Sequence, residues 1–223
     1  MSEIIISVEN AVKEYHETIA VDNVSLFLEK GYIYGIIGRN GSGKTVLLKC
    51  ICGLSRLTSG KITVKGQIIG KDTDFPGNVG MIIEHPGFLA NYSGYENLKM
   101  LAYIRNKIGK TKIREVMELV GLNPDSKKWV GKYSLGMKQR LGIAQAIMEE
   151  PEILILDEPM NGLDNEGVKE IRNLLLQLKE QGTTILLASH SREDIEILCD
   201  EVIEMDHGKV VSHEKKLIIR GDI

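Results

Sequence analysis

The sequence has few cysteines and no long apolar run. Its three cysteines, Cys50, Cys52 and Cys199, are an odd number without the spacing of metal ligands, so we expect reduced thiols in a cytosolic protein. No apolar stretch approaches the roughly 20 residues that a membrane-spanning helix needs. The first ten residues also lack the layout of a signal peptide. Any role at a membrane is therefore expected from outside the bilayer.

An excess of positive charge is missing as well. The formal net charge is −3, which argues against nucleic acid as a partner because domains that hold it are usually strongly basic. Internal repeats, low-complexity tracts and linkers are also absent. With 223 residues, of which 43% are hydrophobic and 26% charged, the chain has the composition of one soluble globular domain that buries its own core.

The chain does contain a glycine-rich segment, residues 38–45, that fits the pattern G-x-x-x-x-G-K-[ST]. An apolar strand, Tyr32–Ile37, precedes it, and a helical pattern, Val46–Cys52, follows it. Glycines let the backbone N–H groups of such a loop turn inward and form an anion site at a helix N-terminus. A glycine-rich turn could match by chance, but the flanking strand and helix favour a nucleoside triphosphate site. The predicted nucleotide-binding residues here are Gly38, Arg39, Asn40, Gly41, Ser42, Gly43, Lys44, Thr45 and Val46.

Strand and helix patterns alternate along the chain, which predicts an α/β fold with a mostly parallel sheet. Further strands are expected at Ile4–Val8, Val24–Leu28, Lys61–Val64, Gln67–Ile69, Val79–Ile83, Ile153–Leu156, Thr183–Ala188, Val202–Met205 and Val210–Val211. Helices are expected at Tyr95–Ile108, Lys112–Val120 (with Thr111 as N-cap), Gly136–Met148 and about Glu166–Glu180. We predict a P-loop NTPase core with an antiparallel β subdomain from about 1–85 and 150–223, and an inserted α-helical subdomain from about 86–149.

Two carboxylates follow the apolar strand Ile153–Leu156 directly. A carboxylate at a strand end beside a phosphate loop can hold the shell of Mg²⁺, and Asp157 has that position. Glu158 would then face the terminal phosphate and could polarise the attacking water. In the loop itself, Lys44 can reach the β- and γ-phosphates and the Thr45 hydroxyl can ligate Mg²⁺. Alone, an apolar run ending in Asp-Glu is often only a strand that enters a solvated turn.

Three further motifs, at residues 133–146, 161–164 and 188–190, accompany these two. They read Tyr-Ser-Leu-Gly-Met-Lys-Gln-Arg followed by Leu-Gly-Ile-Ala-Gln-Ala, then Asn-Gly-Leu-Asp, and Ala-Ser-His at the end of a strand. In this order they resemble the signature motif, the D-loop and the switch histidine of ABC (ATP-binding cassette) ATPases. The resemblance extends from about Ile4 to Val211, nearly the whole chain.

This resemblance implies a head-to-tail dimer of two ATPase subunits, with each MgATP between the phosphate loop of one subunit and residues Ser134–Gly136 of the other. Ser134 and Gly136 would face the γ-phosphate, although Ser134 also fits an ordinary N-cap. His190 would donate to the γ-phosphate and Asp164 would help to form the dimer contact; a structural histidine and a helix N-cap are the alternatives. Tyr15 would stack on adenine unless it is a half-buried strand tyrosine.

Glu84 stands where this family usually has a glutamine that contributes an oxygen to Mg²⁺ and contacts the membrane partner. A glutamate keeps the oxygen and adds negative charge, so it is retained as a metal-site residue. Residues 80–88 resemble the branch of ABC exporters for bacitracin and lantibiotic resistance and immunity; a tolerated change without meaning for the substrate is the alternative. Leu135 and Met137 also depart from the usual signature.

The family implies an ATPase subunit that powers export through a separate integral membrane permease, from the cytoplasmic side as a peripheral protein of the inner face. An ABC importer or a soluble ABC ATPase acting on DNA or the ribosome are alternatives. The soluble class usually carries a long coiled-coil insertion or two tandem cassettes, and this chain shows neither. Basic residues in the helical insertion, from Arg105 to Arg114, are expected to form a solvated helix face, with a membrane-proximal role as the alternative.

Overall fold

The computed structural model of the protein describes residues 3–84 and 87–216, and it places a six-stranded sheet at the centre of the fold. The sheet order is β10-β9-β3-β8-β7-β6, with parallel pairing throughout except for β10, which pairs antiparallel with β9. The bounds are β3 Ile33–Ile37, β6 Val79–Ile82, β7 Ile153–Asp157, β8 Thr184–Ala188, β9 Glu201–Asp206 and β10 Lys209–Lys215. The predicted α/β fold with a mostly parallel sheet is confirmed.

Both faces of this sheet are covered: β7 and β8 are buried along their whole length and are apolar except for Asp157 and Thr184. Successive side chains of a strand point to opposite faces. Leu154 and Leu156 accordingly pack into one cluster with the inserted helices, while Ile153 and Ile155 pack into the other with the first helix and the second sheet. A strand buried on both sides reads as a continuous apolar run, which is the pattern that predicted it.

The second sheet is antiparallel, with the order β2-β1-β4-β5. Its strands are β1 Ile4–Tyr15, β2 Thr18–Glu29, β4 Ser59–Val64 and β5 Gln67–Ile68. Strand β1 is 12 residues long, so the prediction of a strand at Ile4–Val8 found only its first part. Register shifts after Val8 interrupt the alternation of apolar side chains, and Asn10 adopts a positive φ of 48°.

Six helices occur in the described part of the chain: α1 Lys44–Ile51, α2 Gly94–Arg105, α3 Lys110–Leu119, α4 Leu135–Ile147, α5 Asn165–Glu180 and α6 Arg192–Leu198, with a short 3-10 helix at Val130–Lys132. Helices α2 to α4 are inserted between β6 and β7. The prediction of Thr111 as an N-cap is wrong, because α3 begins at Lys110 with Gly109 as its N-cap. A capping box of Ser93 and Glu96 starts α2. Across the described residues, no helix combines the length and apolarity needed to cross a bilayer.

Candidate active site

The phosphate loop connects the carboxyl end of β3 to α1 and lies where the sequence predicts it. Gly43 is the N-cap of α1 with a φ of 102°, and a Cβ there would lie 2.3 Å from the carbonyl oxygen of Ala20. Only glycine fits, because the backbone is left-handed and the neighbouring backbone is too close for a side chain. The ammonium group of Lys44 donates to the carbonyls of Gly38 (2.7 Å) and Arg39 (3.0 Å). The loop is therefore held in shape by its own lysine.

A hydroxyl inside this loop has no hydrogen-bond partner among the described residues. Ser42 is 3% exposed, and its Oγ makes no hydrogen bond to the described residues. A buried polar group without a partner costs about 1–3 kcal/mol. Together with the inward backbone N–H groups of a helix N-terminus, such an atom fits a site for an anionic ligand. The residues present thus fit the triphosphate that the motif predicts.

The loop opens onto a cavity of about 590 Å³. Residues from five separate parts of the chain line it: Ala20, residues 40–46, Glu84, Leu135, Gln139, Asp157, Glu158, Asn161 and Gly162. The volume is in the range of pockets that hold a nucleotide-sized ligand. The structure therefore brings the phosphate loop, the carboxylates after β7 and the predicted metal-site residue Glu84 together in one place.

Thr45 and Asp157 meet at the base of this cavity. The Thr45 hydroxyl donates to Oδ2 of Asp157 over 2.7 Å, and Asp157 is buried at the end of β7. A hydroxyl and a carboxylate form the all-oxygen donor set that Mg²⁺ prefers. No group of three or more His, Cys, Asp or Glu side chains with metal-site geometry occurs within residues 3–84 and 87–216. These two residues fit an ion that takes its other ligands from nucleotide and water.

Glu158, which lines the cavity, forms a second contact there with His190. Nδ1 of His190 and Oε2 of Glu158 are 2.7 Å apart, and the Glu158 side chain is 24% exposed whereas that of His190 is 66% exposed. Glu158 adopts a φ of 50°, a left-handed conformation that is strained for a glutamate. Its backbone N–H donates to the carbonyl of Ala188 (2.9 Å), which fixes the turn after β7. The carboxylate is thus aimed along the cavity edge by its backbone and by the histidine.

Ser134, Gly136 and Asp164 lie beside the cavity rather than on its wall. The Ser134 hydroxyl caps α4 by accepting from the N–H of Met137 (3.2 Å), and the Asp164 carboxylate caps α5 by accepting from the N–H of Gly167 (2.9 Å). Both residues are therefore helix N-caps, as the alternative interpretations predicted. The roles of Ser134 toward nucleotide and of Asp164 at the dimer contact stay predictions. A Cβ on Gly136 would lie 2.7 Å from the carbonyl oxygen of Gly162, so the signature segment and the D-loop segment are in close contact.

Glu84 lines the cavity but pairs with a lysine. Nζ of Lys49, on α1, lies 2.6 Å from Oε1 of Glu84. Glu84 also has a positive φ of 61°. Two residues of the segment 80–88, His85 and Pro86, lie outside the described residues. The extra negative charge that distinguishes this position from a glutamine is balanced by the helix that follows the phosphate loop.

Tyr15 is separate from the lining of this cavity. It is half-exposed near the tip of the β1–β2 hairpin, and its hydroxyl lies 3.0 Å from Oγ of Ser55. Nζ of Lys13 lies 4.5 Å from the centroid of its ring, which is a cation–π contact. The stacking of adenine on Tyr15 stays a prediction.

Comparison with known proteins agrees with this geometry. The model of the ABC transporter family matches residues 21–161, more than half of the chain. The protein belongs to the ABC transporter family. It is an ATP-binding subunit of that family and an ATPase, as the five motifs predicted.

Relatives of this ABC subunit carry names from antibiotic transport. The chain is 46% identical over 211 residues to the bacitracin transport ATP-binding protein BcrA of Enterococcus faecalis, covering 94% of this chain and 68% of that protein. It is 36% identical over 206 residues to the lantibiotic transport ATP-binding protein SrtF of Streptococcus pyogenes, covering 92% and 89%. The dimeric, post-hydrolysis structure of the ATP-binding cassette MJ0796 with ADP and Pi has a TM-score of 0.85 at 22% identity, covering 97% and 100%. The last likeness establishes the ABC cassette fold.

Sequence reasoning missed several residues of this ABC subunit's site. Gln139 is buried on α4, and its amide donates to the carbonyl of Pro159 (3.0 Å), just after the catalytic candidate Glu158. Asn161 lines the cavity, and Lys49 pairs with Glu84. Gln139 and Asn161 lie within the motifs at residues 133–146 and 161–164, but neither was given a role at the site, whereas a lysine one turn beyond the phosphate loop has no motif of its own.

Most of the basic residues from Arg105 to Arg114 are paired in this ABC subunit. Three of these five residues form ion pairs: Arg105 with Glu149, Lys112 with Glu150 and Arg114 with Asp125. Local carboxylates therefore neutralise most of the positive charge that the sequence shows there, which agrees with a solvated face.

Proposed function

We propose that this subunit hydrolyses MgATP to power the export of a peptide antibiotic, of the bacitracin or lantibiotic class, through a separate integral membrane permease. The proposal rests on one observation above the others: a single cavity carries the phosphate loop, the Thr45–Asp157 pair and Glu158, which contacts His190. The choice of substrate is supported by the names of BcrA and SrtF and by the resemblance of residues 80–88 to that branch.

Binding of the nucleotide is assigned to the phosphate loop. The Lys44 ammonium exchanges its two carbonyl acceptors for phosphate oxygens, and the Ser42 hydroxyl gains a partner. Charge-assisted hydrogen bonds of this kind are the stronger ones in proteins. Mg²⁺, when bound, neutralises charge on the phosphates. Thr45 and Asp157 would hold it, and Glu84 would approach it if its pair with Lys49 opened.

Hydrolysis is assigned to Glu158 with His190. The Glu158 carboxylate accepts a hydrogen bond from the attacking water and raises its nucleophilicity. The contact with His190 keeps the carboxylate in one orientation, so less reorganisation is needed at the moment of attack. The exposed His190 ring lies at the rim, where it can donate toward the γ-phosphate. We further infer that residues of about 86–149 form the helical subdomain and that Ser134 and Gly136 complete the nucleotide site of a second subunit.

The subunit is proposed to act in an ATP-dependent pair of identical chains, at the inner face of the cell membrane. An exporter subunit of this kind should raise resistance only together with its permease. The test is co-expression with each polytopic membrane protein that a neighbouring reading frame encodes, in a host sensitive to bacitracin and nisin. We expect at least a fourfold rise in the minimum inhibitory concentration of one drug for the wild type, and none for Glu158→Gln or for either protein alone. Unchanged sensitivity to both drugs, with ATPase activity intact, would overturn the substrate class.

A further inference from the structure

A buried ion pair joins α5 to α6 behind the proposed catalytic histidine. Nε and Nη2 of Arg172 donate to Oδ1 of Asp194 over 2.8 Å and 2.5 Å, and Nη1 donates to Glu193 over 3.0 Å. Arg172 is 7% exposed and Asp194 3%. The hydrogen bonds that the guanidinium donates to Glu193 and to Asp194 raise its pKa further above its usual range. Arg172 therefore stays charged and fixed in place.

Asp194 is in turn hydrogen-bonded to the two residues that flank His190. Oγ of Ser189 donates to the second carboxylate oxygen of Asp194 over 3.4 Å, and it accepts from the N–H of Ser191 over 3.1 Å. Oγ of Ser191 in turn accepts from the N–H of Asp194 over 3.3 Å. The loop that carries His190 is thus tied to the Asp194 carboxylate, whose position Arg172 sets, through Ser189, and to the Asp194 backbone through Ser191.

Because burying an ion pair costs free energy, we expect this pair to do more than stabilise the fold. Replacing a buried ion pair with apolar residues is often neutral or stabilising, whereas breaking it from one side leaves an uncompensated charge. Helix α5 begins at its N-cap Asp164, next to Asn161 and Gly162 in the cavity wall. Arg172 therefore links the helix that follows the D-loop to the loop that carries the histidine.

We infer that Arg172 is a positioning residue for ATP hydrolysis: through Asp194, Ser189 and Ser191 it holds His190 at 2.7 Å from Glu158. This inference rests on the proposed function, because it assumes that His190 acts in hydrolysis. Arg172 itself does not line the cavity and is not a catalytic residue.

The chain supplies a matched control on the same helix. Nζ of Lys179, near the C-terminal end of α5, pairs with Oδ1 of Asp200 over 2.5 Å, and Oδ2 of Asp200 accepts from the N–H of Ile33 at the start of β3. This pair also anchors α5 to the segment around α6, but at the end of the sheet opposite the phosphate loop. Lys179→Met removes a comparable ion pair without touching the His190 loop.

The experiment measures single-turnover ATP hydrolysis with enzyme in excess, ATP affinity and the thermal midpoint. The variants are Arg172→Met, Arg172→Lys, Lys179→Met and the double variant Arg172→Met with Asp194→Leu, which keeps the fold by leaving no buried charge unpaired. We expect at least a tenfold lower hydrolysis rate for Arg172→Met and for the double variant, with ATP affinity within twofold of wild type. Arg172→Lys should recover most of the rate, and Lys179→Met should retain it at a lowered thermal midpoint.

His190→Ala separates the possible outcomes. In that background Arg172→Met should change the residual rate by less than twofold, because the residue it positions is already gone. An equal loss in both backgrounds, or a folded double variant with the wild-type rate, overturns the positioning role and leaves the proposed ATPase function standing. A wild-type rate for His190→Ala alone overturns the proposed role of the histidine, and the inference with it.

Discussion

The Nδ1 atom of His190 and the Oε2 atom of Glu158 lie 2.7 Å apart. The two residues follow neighbouring parallel strands whose last residues, Asp157 and Ala188, are paired in register. Because the strand ends fix both backbones, the histidine and the carboxylate meet without help from a ligand. A carboxylate that is oriented in advance spends little free energy on reorganisation during the reaction.

Glu158→Gln should slow ATP hydrolysis by about 100-fold or more, since a positioned base contributes at least that much. ATP affinity should change far less, because the residue acts on the attacking water. The variant should therefore accumulate an ATP-bound dimer that wild type dissolves by hydrolysis. Light scattering after size exclusion with MgATP measures this. A wild-type rate would mean that Glu158 is not the base; a slow variant that never dimerises would point to a different partner chain.

Lys44→Ala should weaken ATP binding by about 10- to 100-fold, because hydrogen bonds from a charged group contribute about 1.5–3 kcal/mol. Isothermal titration calorimetry with Mg²⁺ measures the affinity. Lys61→Ala is the control, since Lys61 pairs with Glu9 on the antiparallel sheet, away from the cavity. Equal ATP affinities for wild type, Lys44→Ala and Lys61→Ala would show that the phosphate loop does not bind the nucleotide.

Glu84→Gln should change the metal dependence of hydrolysis and leave a folded protein that binds ATP. The substitution also frees Lys49, so the effect has two possible causes. Lys49→Met separates them because it removes the ion pair and keeps the carboxylate. Hydrolysis is titrated against Mg²⁺ and Mn²⁺ for each protein. If the curves of Glu84→Gln and wild type superimpose, the glutamate is a neutral replacement for glutamine.

The three thiols should be unreactive in the folded protein and should make it less stable at high pH. Burial raises the pKa of Cys50 and raises the pKa of Cys52 and Cys199 to about 12, from an ordinary value of 9.0. The unfolded chain therefore loses thiol protons first, so the free energy of unfolding should decline as pH rises from about 9 toward 12. Denaturant midpoints at pH 8 and pH 10 measure this. Rapid labelling by iodoacetamide at pH 8 without denaturant would contradict the burial.

The sequence predicted the phosphate loop, the strand before Asp157 and the helix after Ser134 because each combines a local motif with an apolar period. The β1–β2 hairpin was found only in part, since its bulges break the alternation that marks a strand. Helix α6 was not predicted at all. It has seven residues, four of them charged, and too few turns to show a period.

The contacts between distant residues could not be predicted at all. Lys49 meets Glu84 only because the folded chain brings α1 beside the segment that follows β6, and Arg172 meets Asp194 only because α5 packs against α6. No spacing in the chain encodes such a meeting. The contact between Glu158 and His190 could be predicted in part. The family resemblance implied both residues, but their direct contact depends on β7 and β8 being adjacent in the sheet.

The left-handed backbone conformation of Glu84 and Glu158 limits which substitutions can stabilise this subunit without a loss of function. A glycine at either position would relieve the strain and should yield a more stable protein, by about 1 kcal/mol. Each such glycine would delete a carboxylate from the cavity wall. Screens that select for heat resistance alone will therefore tend to find inactive proteins at Glu158 and proteins with a changed metal dependence at Glu84, whereas screens that also demand turnover must find their gains elsewhere in the chain.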